Sequence, residues 1–193
     1  MFEVLQAYFE QRMTLTPEQV NSMQSLFIPR HLKKGELLIR EGEIAKYGAF
    51  IATGCLRSYV VDNKGKEHII QFAPENWWLT DTNSIVNGTP SLYFMDAIEP
   101  SDILLIDLPS HQKLMATIPG FAASFQSGIQ RHAAAKDHRI IATLTATAEE
   151  RFQNFLHTYP SIAQRVPQHM LASYLGVSPE TLSRVRKKWS LKK

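Results

Sequence analysis

The spacing of apolar residues changes along the chain and predicts different elements in different stretches. Helical spacing marks Phe2–Met13 and Pro17–Phe27, and Thr16 stands before Pro17 as an N-cap stands before a first helical residue. After Ile28, short apolar runs alternate with turn residues, as strands do. The predicted strands are Leu37–Ile39, Tyr47–Ile51, Leu56–Val61, His68–Phe72, Tyr93–Ile98 and Ile103–Leu108. This arrangement predicts a β-sandwich or barrel, with a hairpin whose turn is Asp62–Lys66.

Helical spacing returns at Pro109, and Pro119 precedes the longest predicted helix, which runs to about Thr145. Along it, one apolar stripe contains Phe121, Phe125, Ile129, Ala133, Ile140 and Leu144, interrupted by a basic stretch at Arg131–Arg139. Such a stripe packs either on the β domain of its own chain or on a second copy. We favour a homodimer, because a small β domain covers only part of so long a helix. The predicted dimer interface consists of Phe121, Phe125, Ile129 and Ile140.

Residues 168–189 have the pattern of two short helices joined by a tight turn. Their shared apolar seam would contain Leu171, Leu175, Val177, Leu182 and Val185. Gly176 stands where the first helix needs a residue of positive φ at its end. Ser178 then offers an N-cap, and Pro179 takes the first helical position. The second helix is polar and increasingly basic, which is typical of a helix that reads the DNA major groove.

Positive charge is concentrated in the same C-terminal part of the chain as the two predicted short helices. From Thr147 onward there are eight Lys and Arg residues and three acids, a net charge of +5, whereas residues 1–146 carry −2. Positive charge beside the predicted reading helix favours contact with phosphates. A plain helical hairpin with a solvated basic end is the alternative interpretation.

Composition and motifs argue against several other classes of protein. No apolar run approaches the roughly 20 residues of a membrane span. Cys55 is the only cysteine, so no intrachain disulfide forms and a reducing cytoplasm is expected. A metal enzyme of the cupin type is the rival class, but the seven histidines are scattered and form no His-x-His pair. We therefore predict no enzymatic activity, no metal and no cofactor.

A glycine-punctuated β domain, one long helix and a terminal helix-turn-helix, in this order, resemble the Crp/Fnr family of bacterial transcription regulators. The residues that carry the resemblance are Lys34–Glu36, Glu41–Glu43, Gly54, Arg57, Gly65–Glu67, Ala97–Asp102 and the helix-turn-helix. It implies an α+β fold: an N-terminal double-stranded β-helix (jelly roll) that acts as a sensor, a long dimerisation helix and a C-terminal winged helix-turn-helix domain. The expected domains are 1–108, 109–146 and 147–193.

The sensor segment departs from family members that bind cyclic nucleotides. Those members carry a Gly-Glu pair for the ribose and an arginine for the phosphate, but Pro74–Asp81 contains no Gly-Glu and Ser91–Phe94 no basic residue. Because a buried phosphate without a cation is costly, cyclic AMP is not expected to bind. Two alternatives remain for Trp77, Trp78, Tyr93 and Phe94: they line a pocket for an apolar effector, or they fill the core.

The end of the sequence departs as well. Only Ser190–Lys193 follow Trp189, so we expect the wing to be truncated or missing.

These observations together predict a cytoplasmic, homodimeric, sequence-specific DNA-binding regulator. Its expected partners are double-stranded DNA, a second copy, RNA polymerase and an unknown small-molecule effector or none, with no membrane. The predicted DNA-binding residues are Ser178, Pro179, Glu180, Thr181, Ser183, Arg184, Lys187 and Lys188. The alternative is a ligand-binding or scaffold protein whose helix-turn-helix no longer reads DNA.

Among the predicted DNA-binding residues, Arg184 is expected to read guanine and Glu180 to accept from cytosine N4. The resemblance implies phosphate contacts for Ser178 and Thr181, and a place near the groove floor for Ser183. In many relatives a base-reading arginine occupies the position of Pro179, so a different operator is expected. Lys187 and Lys188 are expected to face phosphates or solvent.

Overall fold

A computed structural model describes the backbone of residues 1–190 and the side chains of all of these except residues 131, 132 and 190. Residues 191–193, on which the prediction about a wing depends, lie outside the described part. The helices are α1 (Phe2–Glu10), α2 (Pro17–Leu26), α3 (Thr82–Asn87), α4 (Leu108–Thr117), α5 (Phe121–Thr145), α6 (Ala148–Thr158), α7 (Gln168–Leu175) and α8 (Pro179–Ser190). The strands are β1 (Ile28–Leu32), β2 (Leu37–Ile39), β3 (Tyr47–Thr53), β4 (Leu56–Val61), β5 (Glu67–Ala73), β6 (Trp78–Leu79), β7 (Phe94–Ala97) and β8 (Ser101–Asp107).

The strands form two antiparallel sheets with the orders β1-β8-β3-β6 and β2-β7-β4-β5. Neighbours in space are distant in sequence, which is the crossed connectivity of a jelly roll and confirms the predicted α+β fold. Each of the six predicted strands is present, with ends that differ by a few residues at most. The hairpin is confirmed as well, because the Asp62 amide donates to the Lys66 carbonyl across its turn.

Alternation along β3 and β8 gives the sheet that contains β1 two apolar faces. On β3, Ala49 and Ile51 face the other sheet in one buried cluster, together with Ile103 and Leu105 of β8. The intervening residues, Phe50 and Ala52 of β3 and Leu104 and Ile106 of β8, belong to a second cluster. That second cluster also contains Leu5, Tyr8, Phe9, Met23, Leu114, Ile118 and Phe121, so helices cover this outer face.

The beginning of α5 therefore corrects one part of the predicted dimer interface. Phe121 is fully buried in the core of its own chain, and Phe125 packs against the same cluster. Phe121 has no exposed area left to bury against a partner, so its assignment to the dimer interface is wrong, whereas the half-buried Phe125 is shared with the core of its own chain. Of the predicted stripe, Ile129 and Ile140 remain exposed, at 51% and 59% of their surface.

Three short elements were not predicted, and each has a local reason. β1 contains Pro29 and is an edge strand, where a proline is tolerated, although its sequence has no clean alternation. β6 has only two residues. Helix α3 is too short to show a helical period; it begins after Asp81, whose side chain accepts the Ser84 amide, and ends at the left-handed Gly88.

The chain forms two compact units. One consists of Met1–Val60 with Gln71–Gly128, and the other of Val61–Ile70 with Ile129–Lys193. By this packing, α4 and the start of α5 belong to the first unit and the β4–β5 turn region to the second, and the division into domains 1–108, 109–146 and 147–193 stays a prediction.

Candidate nucleic-acid interface

Helices α6, α7 and α8 form a small bundle around an apolar core. Its fully or almost fully buried side chains are Phe152, Phe155, Tyr159, Ile162, Val166, Leu171, Ala172, Tyr174, Leu175 and Leu182. The predicted seam is confirmed for Leu171, Leu175 and Leu182, while Val177 and Val185 are half-buried. A capping box of Thr147 and Glu150 begins α6, since each side chain accepts the backbone amide of the other residue.

The turn between α7 and α8 follows the local chemistry of its residues. Gly176 ends α7 in the left-handed region, with φ of 65°. Arg151 of α6 donates from Nη1 to the carbonyl of Leu175 at 2.9 Å, which places a cation at the negative end of α7. The Ser178 hydroxyl accepts the Thr181 amide at 3.2 Å, and Pro179 is the first residue of α8. These contacts confirm the predicted helix-turn-helix.

One face of α8 is left open by this packing. Leu182 points into the core, and Trp189 stacks edge-on against Phe152. The opposite face carries Glu180, Ser183, Arg184 and Lys187, which are exposed and spaced so that they lie on one side of the helix. Ser178, Pro179 and Lys188 are exposed too, whereas Thr181 is half-buried.

Charge states on this face are set by contacts within the first turn. A hydrogen bond with the Ser178 side chain, helped by the backbone amide of Glu180 and by the charge of Arg184, lowers the pKa of Glu180. Glu180 is therefore an ionised acceptor at neutral pH. Among the described residues, the Arg184 guanidinium makes one long contact, 3.4 Å from Nη2 to the Thr181 hydroxyl, so it has donors left for another group.

Lys188 is exposed, as expected, and it also forms an ion pair within the bundle. Its ammonium lies 2.6 Å from the Glu149 carboxylate of α6. This exposed ion pair links α8 to α6, and the ammonium keeps further N–H donors for another group. Lys187 is exposed as well, and the expectation that the two lysines face phosphates or solvent stays a prediction.

Sequence reasoning missed the role of Arg139 on α5. Its guanidinium donates to the carbonyls of Tyr174, Ile70 and Ile69 at 3.1, 2.5 and 2.8 Å, and lies 4.1 Å from the centre of the Tyr174 ring. Beside it, the Ser173 hydroxyl donates to the Glu67 carbonyl. Arg139 thus joins α5 and α7 to the β4–β5 hairpin. It was seen only as part of a basic stretch, because no pattern in the sequence brings these three carbonyls together.

The aromatic residues proposed for an effector pocket do not share one site. Trp78 belongs to the core cluster under the helices, with its ring 5.3 Å from that of Phe50 and 6.1 Å from that of Phe27. Trp77 and Tyr93 pack against the cluster between the sheets. Phe94 stacks on Tyr59 at 5.3 Å. The four-residue pocket is therefore not formed, and for Trp78 the alternative of a core residue is correct.

The segment where a phosphate would be expected is occupied by carboxylates of the chain itself. Asp81 accepts the Ser84 amide at the start of α3 and the Ser91 hydroxyl. The nearby Asp96 is not a free anion, because Arg57 holds both of its oxygens at 2.7 and 2.9 Å. The Arg57–Asp96 pair is buried, so neither partner is open to a ligand.

The described residues contain neither a metal-binding cluster nor a helix that could span a membrane. Among the side chains that the structure describes, which leave out those of residues 131, 132 and 190–193, no three from His, Cys, Asp or Glu come together as metal ligands. None of the helices in residues 1–190 has both the length and the apolar character that crossing a bilayer requires. Cys55 is buried and forms no disulfide.

Comparison with known proteins places the fold. Residues 29–118 match the family model of the cyclic nucleotide-binding domain. The structure resembles FixK2 from Bradyrhizobium japonicum (20% identity, TM-score 0.71, 86% of this chain and 85% of that one). It also resembles the c-di-GMP-responsive global regulator CLP of Xanthomonas campestris (13% identity, TM-score 0.71, 92% of this chain and 93% of that one).

A further similar structure is a protein from Eubacterium rectale assigned to the transcriptional regulators of the crp/fnr family (17% identity, TM-score 0.69, 96% of this chain and 88% of that one). No protein of curated function matches the sequence. At these identities the likeness establishes the fold, and the predicted resemblance is confirmed at that level.

Proposed function

We propose that this chain, which has the fold of the Crp/Fnr regulators and whose residues 29–118 belong to the cyclic nucleotide-binding-domain family, is a cytoplasmic, homodimeric, sequence-specific DNA-binding transcriptional regulator. Its sensor domain does not take cyclic AMP. RNA polymerase is the further partner that such a role implies.

The observation that carries this proposal is the open face of α8. Glu180, Ser183, Arg184 and Lys187 present an acceptor, a hydroxyl and two cations from one side of a helix whose other side is fixed by the core. A helix presented in this way suits the major groove, where Arg pairs with guanine and Glu with cytosine N4. The net charge of +5 after Thr147 supplies the attraction to phosphates.

Homodimerisation is supported by the part of α5 that its own unit leaves uncovered. Ile129, Ile140 and Leu144 are 51%, 59% and 80% exposed, and helical spacing puts them on one side together with Ala133. A row of this kind is the seam of a two-helix contact. We propose that it pairs with the same row of a second copy, so that two α8 helices read a near-palindromic site.

Selection of bound duplexes from a random pool, at physiological salt, tests the function directly. The selected duplex is then compared with a scrambled one for the parent protein, Arg184→Ala and Lys187→Ala. Arg184→Ala should lose about 1–3 kcal/mol of binding free energy on the selected duplex and almost nothing on the scrambled one. Lys187→Ala should weaken both alike and flatten the salt dependence.

A pool from which no sequence is enriched would overturn the proposal and favour a ligand-binding or scaffold protein. An enriched sequence that Arg184→Ala binds as tightly as the parent would leave DNA reading in place but remove Arg184 from it. The matched lysine variant separates a loss of base recognition from a general loss of charge.

A further inference from the structure

The second compact unit contains a cavity of about 570 Å³ outside the open face of α8. It is lined by the last turns of α5, by α6 and by the end of α7. Its volume lies in the range of about 300–1,000 Å³ that is usual for small-molecule sites. Nothing in the proposed reading of DNA uses it.

The lining combines cations with apolar surface. The cations are Arg139 and Arg151, the imidazoles of His138 and His157 add polar groups, and no described lining residue is an Asp or a Glu. The nearest acids of α6 are engaged elsewhere, Glu150 with Thr147 and Glu149 with Lys188. Ala135, Ala142, Phe155 and Leu175 supply the apolar part of the wall. An anion with an apolar body complements both features.

Arg151 is the group with unused capacity for hydrogen bonding. Its Nη1 donates to the Leu175 carbonyl, but its Nε is buried and has no partner among the described residues. A buried N–H without an acceptor is unfavourable, and a guanidinium prefers a carboxylate, which accepts two of its N–H groups at once. Arg139, by contrast, already spends its donors on three carbonyls and serves as a fixed positive charge.

We propose that this cavity binds a small carboxylic acid with an apolar aliphatic or aromatic body, whose carboxylate pairs with Arg151 while its body lies against Phe155 and Leu175. Such a ligand touches α5, α6 and α7 together, and it stabilises the arrangement of the three helices. The site is independent of DNA, so it is measured on the full-length protein alone.

Calorimetric titration with benzoate and hexanoate, each compared with its neutral amide, tests the site. The two carboxylates should bind saturably at one site per chain and raise the melting temperature, whereas benzamide and hexanamide should do neither. The amides have nearly the same shape and lack only the charge, so they isolate the contribution of the cations.

Two substitutions, each with a matched control, locate the binding site while Arg139 and Arg151, which both donate to carbonyls of α7, stay in place. Asn154→Asp adds a carboxylate to the lining at almost unchanged volume and should weaken benzoate about tenfold or more. Gln153→Glu, which makes the same charge change at the neighbouring position outside the lining, is its matched control and should keep the affinity of the parent. Ala142→Leu fills the cavity and should abolish binding, whereas Ala123→Leu, on an exposed site of the same helix, should not.

Failure of both carboxylates to bind at millimolar concentration would overturn the proposal. Equal binding of acid and amide would overturn the charge argument, and unchanged affinity in Asn154→Asp or Ala142→Leu would place the binding elsewhere. DNA recognition by the parent protein is unaffected by any of these results.

Discussion

Three arginines in this protein have three different environments, and each environment sets a different role. Arg57 is buried in a bidentate ion pair with Asp96. Arg139 holds backbone carbonyls and a tyrosine ring without any carboxylate. Arg184 projects from an exposed helix face. The first two are structural, since their donors are consumed inside the fold, whereas the third is available to a partner.

Arg139 is a polar residue whose loss we expect to destabilise the second unit. Arg139→Leu leaves three carbonyls without their donor. Hydrogen bonds from a charged group contribute about 1.5–3 kcal/mol each and are not additive, so we expect the free energy of unfolding to fall by about 2–4 kcal/mol. Chemical denaturation and amide hydrogen exchange of α7 measure it. Lys187→Ala, an exposed cation of the same unit, should change stability by no more than about 0.5 kcal/mol. Unaltered exchange in α7 would show that Arg139 holds nothing together.

His111 gives the first unit a dependence on pH. Its ring lies 4.2 Å from that of Phe125 and 5.8 Å from that of Phe121, its Nε2 is buried without a partner among the described residues, and burial lowers its pKa below 6.5. The unfolded chain then binds the proton more readily than the folded one. The contribution of His111 to the free energy of unfolding is therefore fully present above pH 6.5, and it declines as the pH falls from 6.5 to the lower pKa of the folded state.

Unfolding measured across this range should therefore depend less on pH in His111→Gln than in the parent protein. His169→Gln changes an exposed histidine and should retain the parent's profile. Identical profiles for the parent and His111→Gln would contradict the assignment.

At the scale of elements, α5 does different work along its length. Its first turns are part of the core beneath the jelly roll, through Phe121 and Phe125. Its later turns use Arg139 to hold the hairpin and α7, and leave an apolar row of Ile129, Ile140 and Leu144 exposed. One helix therefore contributes to the core, holds neighbouring elements through Arg139 and leaves an apolar row exposed. The apolar stripe predicted from the sequence does not separate the core residues from the exposed row.

The open seam predicts the behaviour of a charged substitution. Ile140→Asp places a carboxylate in the proposed helix contact, where burying it without a partner is unfavourable, so we expect the dimer to become a monomer at micromolar concentration. Analytical ultracentrifugation measures the mass. Ile44→Asp makes the same change at an isoleucine of similar exposure, 53% against 59%, and should leave the dimer intact. A parent protein that sediments as a monomer would refute dimerisation through α5; Phe125 is unsuitable for this test, because its substitution would disturb the core.

At the scale of the whole molecule, residues 29–118 match the cyclic nucleotide-binding domain, and the proposed lack of nucleotide binding depends on which side chains stand in that fold. The chain has no Lys or Arg between Glu67 and Gln112, and the start of α3 is already occupied by the Asp81 carboxylate. Fold and ligand are thus separable, because strand pairing and packing build the jelly roll and a few side chains decide what it binds.

Thermal melts with cyclic AMP or cyclic GMP test this separation. A nucleotide at a hundredfold excess over its Kd would stabilise the folded state by about 2.7 kcal/mol, which in a chain of this size raises the melting temperature by about 5–10 °C. We expect no rise with either nucleotide at millimolar concentration. A clear rise, sensitive to a change at Asp81, would mean that the carboxylate gives way to the phosphate.

The helix-turn-helix and most strands were predictable from sequence because local chemistry determines them. Gly176, Ser178 and Pro179 act through their own backbone preferences and through neighbours a few residues away, and alternation in β3 and β8 requires only that adjacent side chains point to opposite faces. The open face of α8 followed from the same helical spacing.

Only the tertiary structure decided which apolar or charged groups meet. Trp77 and Trp78 are neighbours in sequence, yet they pack against different clusters because the chain is extended there. Phe121 and Ile129 belong to one sequence stripe, but the core under the jelly roll covers the first and ends before the second. Arg139 has the charge of a surface residue, and it acquires a fixed role from carbonyls that folding brings from distant positions. Periodicity and caps are properties of a segment, whereas burial and partnership are properties of the assembled chain.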